Sequence, residues 1–175
     1  MVVRSIDGRA EIAPQSPEKA MSAVHEMEIR VRYQETDGQR RVHHANFLTY
    51  FETGRTEMLR AHGHTYRQFE NDGLFMVVSE AHVSYRAAAE YDDLLLLRTR
   101  VEKIGAAHIK HAYEVIRGTH ILVTGSTTVV CVDAEGRVRR LPDWMLEHHP
   151  SSAAAPPVSS AAAGVSAIVD REGLP

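Results

Sequence analysis

One cysteine, Cys131, is present in 175 residues, so no intrachain disulfide can form. No stretch approaches the roughly 18 to 20 consecutive apolar residues of a membrane-spanning helix. The opening segment, MVVRSIDGRAEIAPQSPEKA, lacks the apolar run of a secretory signal. Together these absences predict a soluble cytoplasmic protein with no membrane span. Neither sign of charge dominates: Lys and Arg number 20, Asp and Glu 23, and the formal net charge is −3. That balance argues against a general nucleic-acid binder. The chain also lacks a His-Glu-x-x-His motif, a cysteine pair, a P-loop and a dinucleotide fingerprint. Ser79, Ser84 and Ser126 have no Gly-x-Ser-x-Gly context, which excludes a nucleophile elbow. Histidine is plentiful, at 11 residues. Its densest groups, His43-His44 and His62-x-His64, lie at opposite ends of an expected helix, roughly 25 Å apart by rise per residue. No metal site is therefore expected, and His148-His149 read as surface residues.

What is present suits one domain. Hydrophobic residues make up 43% of the chain, enough for a core. The two ends differ from the middle. Residues 1–24 are polar, carry Pro14 and Pro17, and have no clear period, which predicts a mobile extension. Residues 148–175 include PSSAAAPPVSSAAAGVSAI, a low-complexity composition expected of a disordered tail. Residues 25–147 form the expected domain.

Within it, Met27, Ile29, Val31 and Tyr33 alternate with polar residues, the period of a half-buried strand. From Ala45 to about Gly63 the spacing turns helical, through Phe47, Phe51, Gly54 and Met58, with Gly63 as the stop. A shorter helix is expected over Tyr66–Asn71. Four strands follow, over Leu74–Tyr85, Leu94–Val101, His108–Arg117 and His120–Val132, with hairpin signals at Gly105, Gly118 and Gly136. Arg137–Leu141 reads as a further short strand, and Pro142-Asp143-Trp144 opens a last turn or helix. One helix on one antiparallel sheet is a two-layer α+β solution. Cys131 falls in an apolar strand and reads as core.

The stretch RVRYQETDGQRRVHHANFLTYFETGRTEMLR, residues 30–60, carries the chemistry. Asp37 sits in the turn between strand and helix, and His43 and His44 sit where the helix begins. A helix N-terminus offers free N–H groups for a developing negative charge. A carboxylate beside such a site suffices for acyl transfer to water. For a thioester the leaving thiolate is stable, with a thiol pKa of about 8.5, so no strong general acid is needed. Asp37 can activate water or attack as a nucleophile. The ordinary reading of the same residue is an Asp in a turn beside Gly38. Asn46 reads as a helix cap through its side-chain carbonyl. Glu52 and Arg55 lie one helical turn apart and can pair.

Tyr33, Thr36-Asp37, Val42, His44-Ala45-Asn46 and Phe51-Glu52-x-x-Arg55 resemble the motif of the hotdog-fold acyl-CoA thioesterases. The resemblance is to the branch that holds 4-hydroxybenzoyl-CoA thioesterase and the Tol–Pal-associated thioesterase. Tyr85-Arg86-Ala87-Ala88-Ala89-Glu90-Tyr91-Asp92-Asp93 resembles a second motif of that branch, and the likeness covers about residues 26–145. The branch favours Gly where Arg40 stands, an apolar residue at Arg41, an aromatic at His43, Tyr at Phe47 and Pro at Ala88. Arg40 and Arg41 bear on substrate class more than on chemistry.

The resemblance implies a hotdog fold, an antiparallel sheet wrapped around one long helix. It implies hydrolysis of acyl-CoA to acid and CoA, with no cofactor beyond the CoA of the substrate. Asp37 would be nucleophile or general base. His44 would serve the carbonyl oxygen through its backbone N–H or its ring. Phe47, Phe51 and Met76 would line an acyl slot between subunits, Arg86 would meet CoA phosphate, and Glu52 would stand behind the site. An exposed sheet edge predicts pairing of protomers, and the branch implies a homodimer or homotetramer. Two other functions fit the scaffold: a non-hydrolytic binder of acyl-CoA or acyl carrier protein, for which Arg40 and Arg41 leave room, and a hydratase using His44 with Asp37.

Overall fold

The structure is a computed structural model that describes residues 24–147. The expectations for the mobile extension before Val24 and for the tail 148–175 lie outside the described residues.

Alternation of Met27 and Ile29 with Glu26, Glu28 and Arg30 builds β1 (His25–Arg30), with the apolar residues turned inward. The strand ends earlier than its period suggests. Val31 still exchanges backbone hydrogen bonds with Asp92 and Asp93, at 3.1 and 3.0 Å. Tyr33–Glu35, however, winds into a 3-10 turn and leaves Tyr33 exposed. The cause is local: the Glu35 carboxylate accepts the Arg32 backbone N–H at 2.8 Å and closes the turn.

Helix α1 (Asn46–Ala61) buries Phe47, Tyr50, Phe51, Met58 and Leu59 along one side. It stops before Gly63, whose φ of 83° is left-handed. Helix α2 (Tyr66–Asn71) starts at Thr65, where the Gln68 side chain accepts the Thr65 N–H at 2.7 Å. Then come β2 (Phe75–Tyr85), β3 (Leu94–Ile104), β4 (His108–Arg117), β5 (His120–Val132) and α3 (Asp143–Glu147). β3 runs beyond Val101 to Ile104 before turning at Gly105. Arg137–Leu141 is not a strand. Only Val138 bridges back, to Val132, because the Asp133 carboxylate accepts the Arg137 N–H and both the Arg137 and Arg139 guanidinium groups and folds the segment into a turn.

The five strands form one antiparallel sheet in the order β1-β3-β4-β5-β2. It wraps α1 in the hotdog manner. Phe51 stacks on Tyr113 of β4 with ring centres 4.3 Å apart. This approach needs Gly125 on β5, where a Cβ would come within 2.7 Å of the His82 carbonyl oxygen and overlap the Phe51 ring. One apolar cluster gathers Phe47, Tyr50, Phe51, Leu95, Leu97 and Val115 under the helix start. A second gathers Leu59, Phe69, Ile109, Cys131 and Met145 under its end. β1 and β2 are the sheet edges. β2 leaves Val77 and Val78 nearly half exposed and bulges at Ser79.

Candidate active site

The loop after the 3-10 turn doubles back on itself. Thr36 bridges to Val42 in antiparallel fashion. The Asp37 N–H donates to the Arg41 carbonyl at 2.9 Å, and the Arg40 N–H donates to the Asp37 carbonyl at 2.9 Å. Asp37 Oδ1 accepts the Gln39 N–H at 2.8 Å, the self-bond that favours Asp in turns. Its other oxygen, Oδ2, accepts no donor among the described residues. Arg40 sits at φ 63°, a left-handed conformation that costs a non-glycine residue about 1–2 kcal/mol. This is the physical reason a glycine suits that position. The return limb is anchored to the segment ahead of β3 by the Arg41–Glu90 bridge and by the Val42 N–H on the Ala89 carbonyl at 2.8 Å.

The loop then enters α1. The His43 N–H donates to the Glu35 carbonyl at 2.8 Å, and the Asn46 side-chain amide donates to the same oxygen at 2.7 Å. Asn46 is thus the first helical residue and a donor, not the cap expected from its type. The capping position falls to Ala45, with no side-chain bond. The reason is geometric: the amide of Asn46 reaches across to Glu35, so its side chain cannot fold back on the helix N–H groups. The Asn46 N–H donates to the His43 carbonyl at 2.9 Å, and the Leu48 N–H to the Ala45 carbonyl at 3.1 Å. Between these satisfied donors, the His44 N–H has no protein acceptor among the described residues. It stands at the positive end of a 16-residue helix. The His44 ring is exposed, with its centre 4.1 Å from that of His43. His43, where the resembled branch favours an aromatic, is also exposed, because its Nδ1 turns back to accept the Ala45 N–H at 3.3 Å.

Other expected residues separate into three places. Phe47 and Phe51 lie in the cluster under the helix start, whereas Met76 packs against the second cluster. Arg86 is exposed, and its guanidinium meets no acidic side chain among the described residues. Glu52 pairs with the buried Arg55 at 2.8 Å. Among the described residues no group of three or more His, Cys, Asp or Glu side chains is placed to hold a metal ion. A cleft of about 280 Å³, lined by His64, Phe69, Pro142 and Trp144 among others, opens between α2 and α3, away from Asp37.

Three residues of the site escaped the sequence reading. Tyr85, at the end of β2, donates its hydroxyl to the His44 carbonyl at 3.1 Å, and its ring centre lies 5.7 Å from that of Phe47. Glu35 is buried, and its carboxylate accepts the Arg32 backbone N–H, the Arg32 guanidinium at 2.7 and 2.9 Å, and the Tyr50 hydroxyl at 2.8 Å. Burial alone would raise the Glu35 pKa, but these donors together hold it below the ordinary carboxylate value. Burial, and then the Glu35 carboxylate, push the Tyr50 hydroxyl well above its ordinary value. Glu35 therefore stays ionised and Tyr50 stays a donor. A usable signal was present: Tyr50 falls on the buried stripe of α1 and needs a partner for its hydroxyl.

Residues 31–149 match the thioesterase-like superfamily. Over 106 residues the chain is 37% identical to the acyl-CoA thioesterase YbgC of Haemophilus influenzae, which spans 60% of this chain and 78% of that protein. The DHNA-CoA thioesterase of Staphylococcus aureus superposes with a TM-score of 0.68 at 28% identity, covering 70% of this chain and 87% of that one. A 4-hydroxybenzoyl-CoA thioesterase superposes with a TM-score of 0.67 over 73% of this chain and 99% of that one; at 17% identity it shares the fold.

Proposed function

The chain belongs to the thioesterase-like superfamily and is an acyl-CoA thioester hydrolase, and within that activity we propose that Asp37 carries the reaction and the His44 backbone N–H holds the carbonyl oxygen. One observation supports this reading above the rest. On one doubled-back loop, Asp37 Oδ2 and the His44 N–H have no protein partner among the described residues, while the N–H groups of Asp37, Gln39, Arg40, Val42 and His43 each find an acceptor. A thioester carbonyl with its oxygen on the His44 N–H is polarised there, and the helix dipole adds to the effect.

In the general-base route, Asp37 takes a proton from water as the water oxygen bonds to the carbonyl carbon. The tetrahedral oxyanion rests on the His44 N–H and collapses with cleavage of the C–S bond. CoA leaves as thiolate and takes up a proton from solvent or from Asp37. In the nucleophilic route, Asp37 bonds to the carbonyl carbon, thiolate leaves, and water hydrolyses the mixed anhydride. A second turnover in ¹⁸O-water separates the two, since only the anhydride route can load label into the Asp37 carboxylate.

Neither route uses a metal or a further cofactor. The acyl group lies against Phe47 and Tyr85 at the helix start, in a slot completed by a second protomer. Edge-to-edge pairing of β2 would cover Val77 and Val78 and supports a homodimer or a homotetramer. Arg86, exposed and without an acidic partner among the described residues, suits a CoA phosphate. A single, buried Cys131 thiol fits a cytoplasmic location. The test is thiol release from acyl-CoA by the wild type and by Asp37→Asn.

A further inference from the structure

Glu35 is a buried, ionised side chain that takes no part in the proposed reaction. Glu35 lies two residues before Asp37, and both its backbone and its side chain are committed to α1. Its carbonyl oxygen accepts two donors, the His43 N–H at 2.8 Å and the Asn46 amide at 2.7 Å. Those donors flank His44 on either side. Its carboxylate accepts the Tyr50 hydroxyl, from the second turn of the helix, at 2.8 Å. The Arg32 guanidinium and backbone N–H fill the remaining acceptor positions. We propose that Glu35 is a positioning residue, which fixes the Asp37 carboxylate relative to the His44 N–H by clamping the loop before Asp37 to the start of α1 through Tyr50, His43 and Asn46. This inference rests on the assignment of Asp37 and His44.

The demand for such a clamp follows from the chemistry. The carbonyl carbon must meet Asp37 or its water while the carbonyl oxygen meets the His44 N–H. A misplacement of about 1 Å between the two can cost about 100-fold in rate. The loop between them, residues 37–43, includes exposed Gly38, Gln39, Arg40 and Arg41 and contributes only Val42 to the core. The short link through Glu35 replaces it as the rigid path. The carboxylate is shielded, so its bond to Tyr50 is stronger than a surface bond would be. The clamp touches no substrate, so its loss acts on turnover rather than on binding.

The experiment compares wild type, Asp37→Asn, Tyr50→Phe and Glu35→Gln in steady-state thiol release from the acyl-CoA that the wild type turns over best. Affinity for the matching non-hydrolysable acyl-CoA thioether is measured alongside. Tyr50→Phe removes one oxygen from the clamp and is the gentler variant; Glu35→Gln keeps the shape but loses the charge. Both variants are expected to lose about 10- to 100-fold in kcat per folded molecule, with KM and thioether affinity within about threefold of wild type. The double variant should lose about as much as the worse single one, since both act on the same Glu35–Tyr50 bond, one by removing it and one by removing its charge. Wild-type kcat in folded Tyr50→Phe and Glu35→Gln would overturn the proposal, as would a loss confined to KM. A wild type inactive on every acyl-CoA, or an active Asp37→Asn, would instead overturn the assignment of the site on which the clamp rests.

Discussion

Arg40 donates its backbone N–H to the Asp37 carbonyl at 2.9 Å while its own φ stands at 63°. The loop that presents Asp37 thus holds a long, branched-charge residue in a conformation that glycine adopts freely. Arg40→Gly is expected to raise stability by about 0.5 kcal/mol, the relief of left-handed strain less the extra freedom of the unfolded chain. Arg40→Val should lower it by more than about 1 kcal/mol, since a β-branched residue tolerates that region least. Urea midpoints of the two variants check the sign. A destabilising glycine at position 40 would mean that the arginine side chain stabilises the loop through contacts of its own.

Gly54 tests how closely α1 lies on the sheet. Alanine there would improve helix propensity by about 1 kcal/mol. Yet a Cβ at Gly54 would overlap Thr99 Oγ1 and stand 2.7 Å from Leu97 Cδ2, both on buried residues of β3. Overpacking of this kind costs about 1–3 kcal/mol, so the clash outweighs the propensity gain. Gly54→Ala should lower the thermal midpoint, and a raised midpoint would contradict the packing described.

The pattern of apolar residues made most of this fold legible. The α1 stripe, α2, and the strands His108–Arg117 and His120–Val132 follow from periods of 3.6 and 2 and from glycine turns. What the period could not reveal was side-chain capture of backbone. Glu35 bonding to Arg32 ended β1 early, Asp133 turned Arg137–Leu141 away from a strand, and Asn46 reached Glu35 instead of capping α1. Each depends on a polar side chain choosing between near-equal partners, which spacing does not decide. The site was legible in part. Asp37 and the helix start, which the proposed reaction uses, stood out in the sequence as a carboxylate beside a helix N-terminus, whereas Glu35 and Tyr85 bond to partners 11 to 41 residues away.

His111 on β4 makes stability depend on pH. It is 6% exposed. Burial, and then the nearby Arg55 cation, lower its pKa to about 3. In the unfolded chain the imidazole titrates near 6.5. The unfolded state therefore binds more protons between these values, and stability falls as pH drops below 6.5. The slope from this one group is about 1.4 kcal/mol per pH unit well inside the window. From pH 6 to pH 4.5 it contributes a loss of about 2 kcal/mol. His111→Leu should flatten that slope in urea titrations at the two pH values. An unchanged slope would place the acid sensitivity on other groups.

The β2 edge bears on assembly. Val77 and Val78, 44% and 48% exposed, sit on a strand whose outer side pairs with no other strand among the described residues. Sedimentation velocity is expected to give a dimer or tetramer for wild type. Val78→Lys, placing a charge on the exposed edge strand, should shift it toward monomer and lower thiol release in parallel. A wild type that is monomeric and fully active would contradict an interfacial acyl slot.

The most direct test of the account is thiol release from a panel of short, long and hydroxybenzoyl-CoA thioesters, with wild type and Asp37→Asn compared at equal folded concentration. The account predicts release by wild type on at least one member and a loss of at least about 1,000-fold in Asp37→Asn, with its thermal midpoint kept close to wild type. Turnover retained in folded Asp37→Asn would contradict it, because the loop would then present a carboxylate that the reaction does not need.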